Sequence, residues 1–513
     1  MGQGNGLSDA YMATINRVKA QKGNKSTLGM KVLAWVFYSE RALRAEELCH
    51  AFGVEIGSAE LDPENIPALR TLLASSLGLV TLDEYSSTVR VVHYTLYQYL
   101  SYNPTLFHSP HSTIAEVCLT YLNFGSVWDI SPTLDSCPST FPLLEYSSLY
   151  WAEHAREGMT ENVKILALRL LDRFDEHISS RLLSLHYNES SPTGPYFVDE
   201  RIPTGFTLLH GAAYLGIVEI FAGVLEMKEW DVNATDSAGS TALTWAASKG
   251  YMEIVKILLD LSDINPDQEE TEYGRTPLSW AAESGHEGIV DMLLEREDVN
   301  PDHPDTKYGR TPVSLAAENG HEEVVKMLLE RKEVNPDQVD CLYGRTPLLW
   351  AAENGHEGVV KRLLEREEVN PDQADTIYGG TPLSLAAENG HEGVVEMLLK
   401  REDINPDRAD TRYGQTPLSC AAENGHQGVV NMLLKRKEVN PDQADTAYGR
   451  TPLAWAAQNG HVGVVEILLK RQDVLIATLD NQNQTPLSLA SSQGHDEVAK
   501  ILQDKSHTAG GGG

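Results

Sequence analysis

The sequence predicts a mainly α-helical protein: a solenoid of about nine short repeats, preceded by a small α+β domain and a helical connector. Three observations carry this. A Thr-(Pro/Ala/Leu)-(Leu/Val) start recurs at Thr207, Thr241, Thr276, Thr311, Thr346, Thr381, Thr416, Thr451 and Thr485, at steps of 34 or 35 residues. Self-similarity at such a period marks units that complete their core only by stacking. Within each period, apolar residues fall at helical spacing in two short segments separated by a glycine. Upstream the period is absent, and two β-prone runs, 79–82 and 89–92, flank a polar turn.

Taken in order, residues 1–25 are polar and glycine-bearing, with a helix predicted over 7–19. Helical periodicity follows over 27–38 and 44–52, and a further helix is predicted over 66–77. The runs at 79–82 and 89–92, with the turn at 83–87, read as a β-hairpin. Three helices and a hairpin outline a winged-helix-like domain over residues 26–110. A helical connector over 111–202 leads to the repeats over 203–504, and 505–513 is a glycine-rich flexible tail.

One repeat shows the mechanics. Thr311 is placed to cap a helix with its hydroxyl, and Pro312 fits the first helical position, where its missing N–H costs nothing. Ala316 and Ala317 let a neighbouring helix approach, and Gly320 ends the helix. His321 opens a second segment in which Val324, Val325, Leu328 and Leu329 form one apolar stripe. Asn335-Pro336-Asp337 breaks that helix, and Tyr343-Gly344 turns the chain, through a long finger-like loop, into the next unit.

This unit resembles the ankyrin repeat. The family's Thr-Pro-Leu-His start appears as Thr276-Pro277-Leu278-Ser279 and its sisters, its Ala-Ala-x-x-Gly-His stretch as Ala316-Ala317-Glu318-Asn319-Gly320-His321, and its Val-Asn as Val299-Asn300 and Val334-Asn335. The family histidine of the first motif is kept only at His210. The 35-residue period exceeds the usual ~33, so each finger is expected to be about two residues longer. The N-terminal part resembles the winged-helix region that follows the nucleotide-binding (NACHT) domain in fungal NLR-like ankyrin proteins. Leu33-Ala34-Trp35-Val36, Arg41-Ala42-Leu43, Glu46-Glu47-Leu48, Gly78-Leu79-Val80, the stretch from Val89 to Leu96, and Trp151-Ala152-Glu153-His154-Ala155 carry that resemblance. The NACHT domain itself is missing: Gly23-Asn24-Lys25-Ser26 is the nearest approach to a phosphate-cradling loop and lacks its spacing, so no nucleotide is expected.

Composition narrows function. Asp and Glu number 74 against 41 Lys and Arg, a formal net charge of −33. Phosphate backbones and anionic membranes are gripped by surplus cations, so neither direct nucleic-acid nor membrane binding is expected. Cys49, Cys118, Cys137, Cys341 and Cys420 have neither zinc-finger spacing nor the even count of a disulfide framework, which favours a reducing compartment, cytoplasmic and/or nuclear. There is no secretory pattern and no run of 18 apolar residues. No catalytic residue, cofactor, metal or small-molecule substrate is expected. The ladder His286, His321, His356, His391, His426, His461 and His495 reads as a buttress of the turn inside each unit, because copies ~10 Å apart cannot share one ion. Trp245, Trp280, Trp350 and Trp455 alternate with Leu315, Leu385 and Cys420 and read as core. Glu367-Glu368 and Glu402-Asp403, beside Arg366 and Arg401, read as solvated surface.

The fingers differ. Among near-identical repeats one position varies in charge and size: Glu272, Lys307, Leu342, Ile377, Arg412 and Ala447. The tyrosine after it persists as Tyr273, Tyr308, Tyr343, Tyr378, Tyr413 and Tyr448, and two residues on stand Arg275, Arg310, Arg345, Gly380, Gln415 and Arg450. The ankyrin resemblance implies that these turns, with Glu318, Asn319, Glu353, Asn354, Glu388 and Asn389 of the first helices, line the concave partner-binding face. Tyr and Arg are the side chains that most often dominate interface energetics. Repeats starting at Thr276, Thr311, Thr346, Thr381 and Thr416 carry net charges of −5, −3, −4, −3 and 0, which predicts a protein partner with a basic surface. The expected function is a non-catalytic protein-interaction scaffold, a regulator of a transcription factor or signalling partner. The N-terminal resemblance adds the alternative of a sensor fragment of an NLR-like surveillance protein. Direct DNA binding ranks lower, because the expected recognition helix carries only Arg70 as a cation.

Overall fold

A computed structural model describes residues 4–131, 134, 137–183, 206–227 and 230–510. The chain falls into two compact units, Met1–Ala242 and Leu243–Gly513. Both are mainly helical. The end of the expected connector, past residue 183, lies outside the described residues.

In the first unit, α1 (Gly4–Lys19) buries Ile15 and Val18 against α2 (Lys25–Tyr38). A Cβ on Gly29 of α2 would meet the Ser75 carbonyl oxygen at 2.3 Å, so glycine there lets α2 touch both α1 and α4 (Leu69–Ser75). α3 (Ala45–Gly53) starts on Glu47, whose buried carboxylate accepts the Arg44 backbone N–H at 2.7 Å and two hydrogen bonds from Arg41. β1 (Leu43–Arg44), β2 (Val80–Asp83) and β3 (Thr88–Val91) form an antiparallel sheet of order β1-β3-β2, with Val80 opposite Val91 and Leu43 opposite Val89. Val32, Leu33, Trp35, Leu48, Leu72 and Val89 close the core beneath it.

The expected hairpin is present, and β1 adds a strand too short to show alternation in sequence. The helix expected over 66–77 is shorter. Ile66, before Pro67, is held extended, and Leu77 and Gly78 take left-handed conformations (φ 50° and 84°) that stop it. There follow α5 (Tyr94–Ser101), α6 (Pro110–Leu122), α7 (Gly125–Trp128), α8 (Leu144–Glu157) and α9 (Glu161–Leu171), with the largely buried α6 packed on α8 and α9. The helix pair Leu208–Leu215 and Val218–Met227 also belongs to this unit. There His210 holds its finger closed, Nε2 lying 3.0 Å from the Ala234 carbonyl and 3.1 Å from that of Ser240.

The second unit repeats a helix pair, from Met252–Leu259 through Pro277–Glu283 with Glu287–Leu294 to Pro486–Ser492 with Asp496–Gly510. Residues 505–510 thus continue the last helix, where a flexible tail was expected. Each first helix is set by its Thr-Pro pair: the Thr311 hydroxyl accepts the Ser314 N–H, and Pro312 takes the first position. Val324, Val325, Leu328 and Leu329 of the second helix are buried, each worth roughly 1.5–3 kcal/mol.

The histidine ladder ties units together rather than propping the turn within one. Nε2 of His321 donates to the Glu283 carbonyl (2.9 Å), His356 to Glu318 (3.0 Å) and His391 to Glu353 (2.9 Å), each 38 residues upstream. On the loops after the second helices, Asp267, Asp337 and Asp407 likewise accept the backbone N–H of Asn300, Asn370 and Asn440 in the next repeat.

Candidate partner-binding face

Each finger is organised around one carboxylate. Oδ1 of Asp340 accepts the N–H groups of Leu342 (3.0 Å), Tyr343 (2.6 Å) and Gly344 (3.1 Å), while Oδ2 accepts the Trp350 indole N–H at 3.2 Å. Asp305, Asp375, Asp410 and Asp445 cap their own fingers in the same way. Successive fingers are joined through the backbone. The N–H groups of Thr306, Cys341, Thr376, Thr411, Thr446 and Asn481 donate to the carbonyls of Tyr273, Tyr308, Tyr343, Tyr378, Tyr413 and Tyr448 at 2.7–2.8 Å.

The arginines face inward along this ladder. Arg345 binds Glu353 at 2.5 Å and lies 5.1 Å from the Tyr343 ring centroid and 4.6 Å from that of Trp350. Arg310 binds Glu318 at 2.6 Å and covers the same Trp350 at 4.5 Å. Arg275 is 5% exposed, held by Glu283 (2.8 Å) and Asp305 (3.4 Å) between Tyr273 and Trp280. Arg450 is buried against Asp480, Tyr448 and Trp455. These charge-assisted, stacked contacts lock each finger to the helix behind it. The tryptophan position is therefore a polar-anchored rim of the core: Trp350 and Trp455 are buried, whereas Trp245 and Trp280 are half-buried.

Other expected residues stand outward. Leu342 is 45% and Ile377 50% exposed, as are Tyr378 (39%) and Tyr448 (42%). Lys307 is exposed over the Tyr273 ring at 4.1 Å, and Arg412 over Tyr378 (4.8 Å) and Tyr413 (4.7 Å). Tyr308, Tyr343 and Tyr413 are half-buried, and Tyr273 is buried. Asn319, Asn354 and Asn389 each donate to a carbonyl of their own helix, at Leu315, Trp350 and Leu385.

The row is interrupted at Gly380, where no guanidinium can form, and at Gln415, whose neutral amide donates to Glu423 at 2.5 Å. Glu388 is consequently exposed without an arginine from its own finger. Its carboxyl is pushed upward by desolvation, then by the charges of Glu423, Glu353 and Asp410. Glu318 is also raised, by burial, with Arg310 opposing. Sequence reasoning missed the finger carboxylates and the inward turn of the arginines. The signals were an acidic residue five positions before each finger arginine (Glu270, Asp305, Asp340 and Asp445) and a Glu eight positions after Arg275, Arg310 and Arg345. The acid pairs are exposed as expected, with Glu368 and Asp403 bound to Arg366 and Arg401.

Residues 209–305, 297–375, 367–445 and 437–509 each match the family described as ankyrin repeats (3 copies), together covering more than half of the chain. The chain belongs to the ankyrin-repeat family. Ankyrin repeats are protein-interaction scaffolds and typically non-catalytic. Among solved structures, the crystal structure of the human ASB11 ankyrin repeat domain is similar to this ankyrin-repeat protein at 25% identity and a TM-score of 0.39, covering 45% of this chain and 98% of that one. No curated protein matches the chain. Among the described residues no helix is long and apolar enough to cross a membrane.

Proposed function

We propose that this ankyrin-repeat protein is a non-catalytic scaffold of about nine repeats over residues 203–504. Its finger face, built from the tyrosine, arginine, glutamate and asparagine positions described above, binds a protein partner with a basic surface. In this reading the protein regulates a transcription factor or signalling partner in the cytoplasm and/or nucleus, without direct nucleic-acid contact. The observation that carries the reading is the interruption at Gly380. Glu283, Glu318 and Glu353 are each neutralised by the arginine of their own finger, and Glu423 is bound by the Gln415 amide. Glu388 is left exposed among Glu423, Glu353 and Asp410, with Arg345 of the preceding finger as the opposing charge. A partner's arginine or lysine entering at this point supplies the missing cation, and Ile377 and Tyr378, on the same finger as Gly380, are exposed.

The test restores the chain's own cation. Gly380→Arg is expected to pair with Glu388 as Arg345 pairs with Glu353, to keep or raise the melting temperature, and to weaken partner capture by about tenfold or more. Glu388→Gln is expected to weaken capture in the same direction. Quantitative crosslinking mass spectrometry from native extract reads the result; wild-type capture by both variants refutes the reading.

A second reading, a fragment of an NLR-like sensor, is supported by the helices α2, α3 and α4 with the three-stranded sheet of residues 25–91 and by the Trp151–Ala155 stretch on α8. Ligand-driven oligomerisation in light scattering separates it from the first. On α4 the exposed Arg70 is the sole cation, so a gel shift with the full chain is expected to show no DNA complex.

A further inference from the structure

The end of α2, the start of α6 and the body of α8 converge on two imidazoles and a carboxylate. Glu40 (exposed), His111 (half-buried) and His154 (fully enclosed) each offer one ligand atom, all within 4.8 Å of one another. Nδ1 of His111 and Nδ1 of His154 are 2.8 Å apart. On the far side of the His154 ring, Nε2 is 2.8 Å from the Tyr146 hydroxyl, which accepts the Glu40 N–H at 3.2 Å. Tyr38 packs edge-on against His111 with ring centroids 5.0 Å apart. An imidazole whose outer nitrogen is held by a hydrogen-bonding partner is how metal-binding histidines are usually oriented. A hydrogen bond between the rings explains the two histidines but gives the Glu40 carboxylate, which reaches the same point, no part to play.

We propose that Glu40, His111 and His154 bind one zinc-class divalent cation through the two Nδ1 atoms and a Glu40 carboxylate oxygen. Two imidazoles and one carboxylate suit zinc and its neighbours better than calcium or magnesium, which prefer oxygen cages. Ligand atoms around a tetrahedral ion with ~2.0–2.1 Å bonds stand ~3.3 Å apart, so the rings separate by about half an ångström while solvent-exposed Glu40 closes over the ion. Without the ion, the Tyr146 hydroxyl donates to Nε2 of His154, whose Nδ1–H donates to Nδ1 of His111. With it, both Nδ1 lone pairs face the ion. The His154 proton then sits on Nε2 and donates to the Tyr146 oxygen, and the hydroxyl proton turns to Ser39 beside it. Neither ring gains or loses a proton overall. The solvent side of Glu40 leaves a fourth position for water. The ion pins together three elements that are distant in sequence, since His111 and His154 are 43 residues apart.

The test uses the full-length chain, stripped with chelator and titrated with Co²⁺ while its visible ligand-field absorption is followed. Wild type is expected to saturate at one equivalent and to lose the band when one equivalent of Zn²⁺ is added. Glu40→Gln is expected to weaken binding at least tenfold with metal-free melting unchanged, because Glu40 is exposed, and His111→Gln is expected to remove the band. Tyr146→Phe is expected to weaken binding by about 10–100-fold, as loss of an orienting group does. A titration with no saturation at one equivalent overturns the proposal, as does a band that survives His111→Gln, which would place the ion elsewhere.

Discussion

His177 is buried against Trp128, with Nε2 3.0 Å from the Leu122 carbonyl and Nδ1 accepting the Ser179 N–H at 3.1 Å. Burial pushes its pKa down to about 4, with the Leu122 hydrogen bond opposing. The unfolded chain therefore binds this proton more readily than the folded one. The stability that His177 contributes is complete above about pH 6.5 and is lost as pH falls toward 4, by about 1.4 kcal/mol per pH unit. Urea midpoints of the transition that unfolds the first unit are expected to decline over that window in wild type and to decline less steeply in His177→Gln. The finger arginines teach a related lesson at the same scale. Sequence marks Arg345 as a cation in a turn, but whether a guanidinium faces a partner or its own Glu353 depends on where the chain places the acceptor.

Within one helix pair, Gly320 has φ 80°, and a Cβ there would meet Nδ1 of His356 at 2.6 Å. Gly320→Ala is expected to lose about 1–2 kcal/mol for the left-handed backbone and about 0.5–1.5 kcal/mol more as His356 is pushed off the Glu318 carbonyl. In His356→Ala the same substitution should lose less, because the second contribution is already gone; a double-mutant cycle by urea denaturation measures the difference. These element boundaries were legible because Thr311, Pro312 and Gly320 act through local backbone energetics, which repeat with the sequence. The strand Leu43–Arg44 was not legible, since two residues carry no period and its pairing with Thr88–Val89 is made at long range. The meeting of Glu40, His111 and His154 was hidden for the same reason. None of their sequence neighbours indicates that α6 and α8 pack together.

Across the second unit, stability is shared between neighbours, because every pair buries its apolar stripe on the next. Leu363 is fully buried in the middle of this stack. Leu363→Ala is expected to lose about 2–5 kcal/mol and, by weakening one pair, to split a single urea transition into two, seen as separate steps in hydrogen exchange of the flanking pairs. The rungs between fingers have a consequence for copy number. If residues 311–345 were excised, Thr376 would find the carbonyl of Tyr308 where it now meets that of Tyr343, Glu353 would receive Arg310 in place of Arg345, and His356 would reach Glu283 instead of Glu318. Every bond across the seam has a replacement of the same kind. A gene encoding such a stack can gain or shed a whole frame by recombination between its own copies, so array length is open to selection independently of folding.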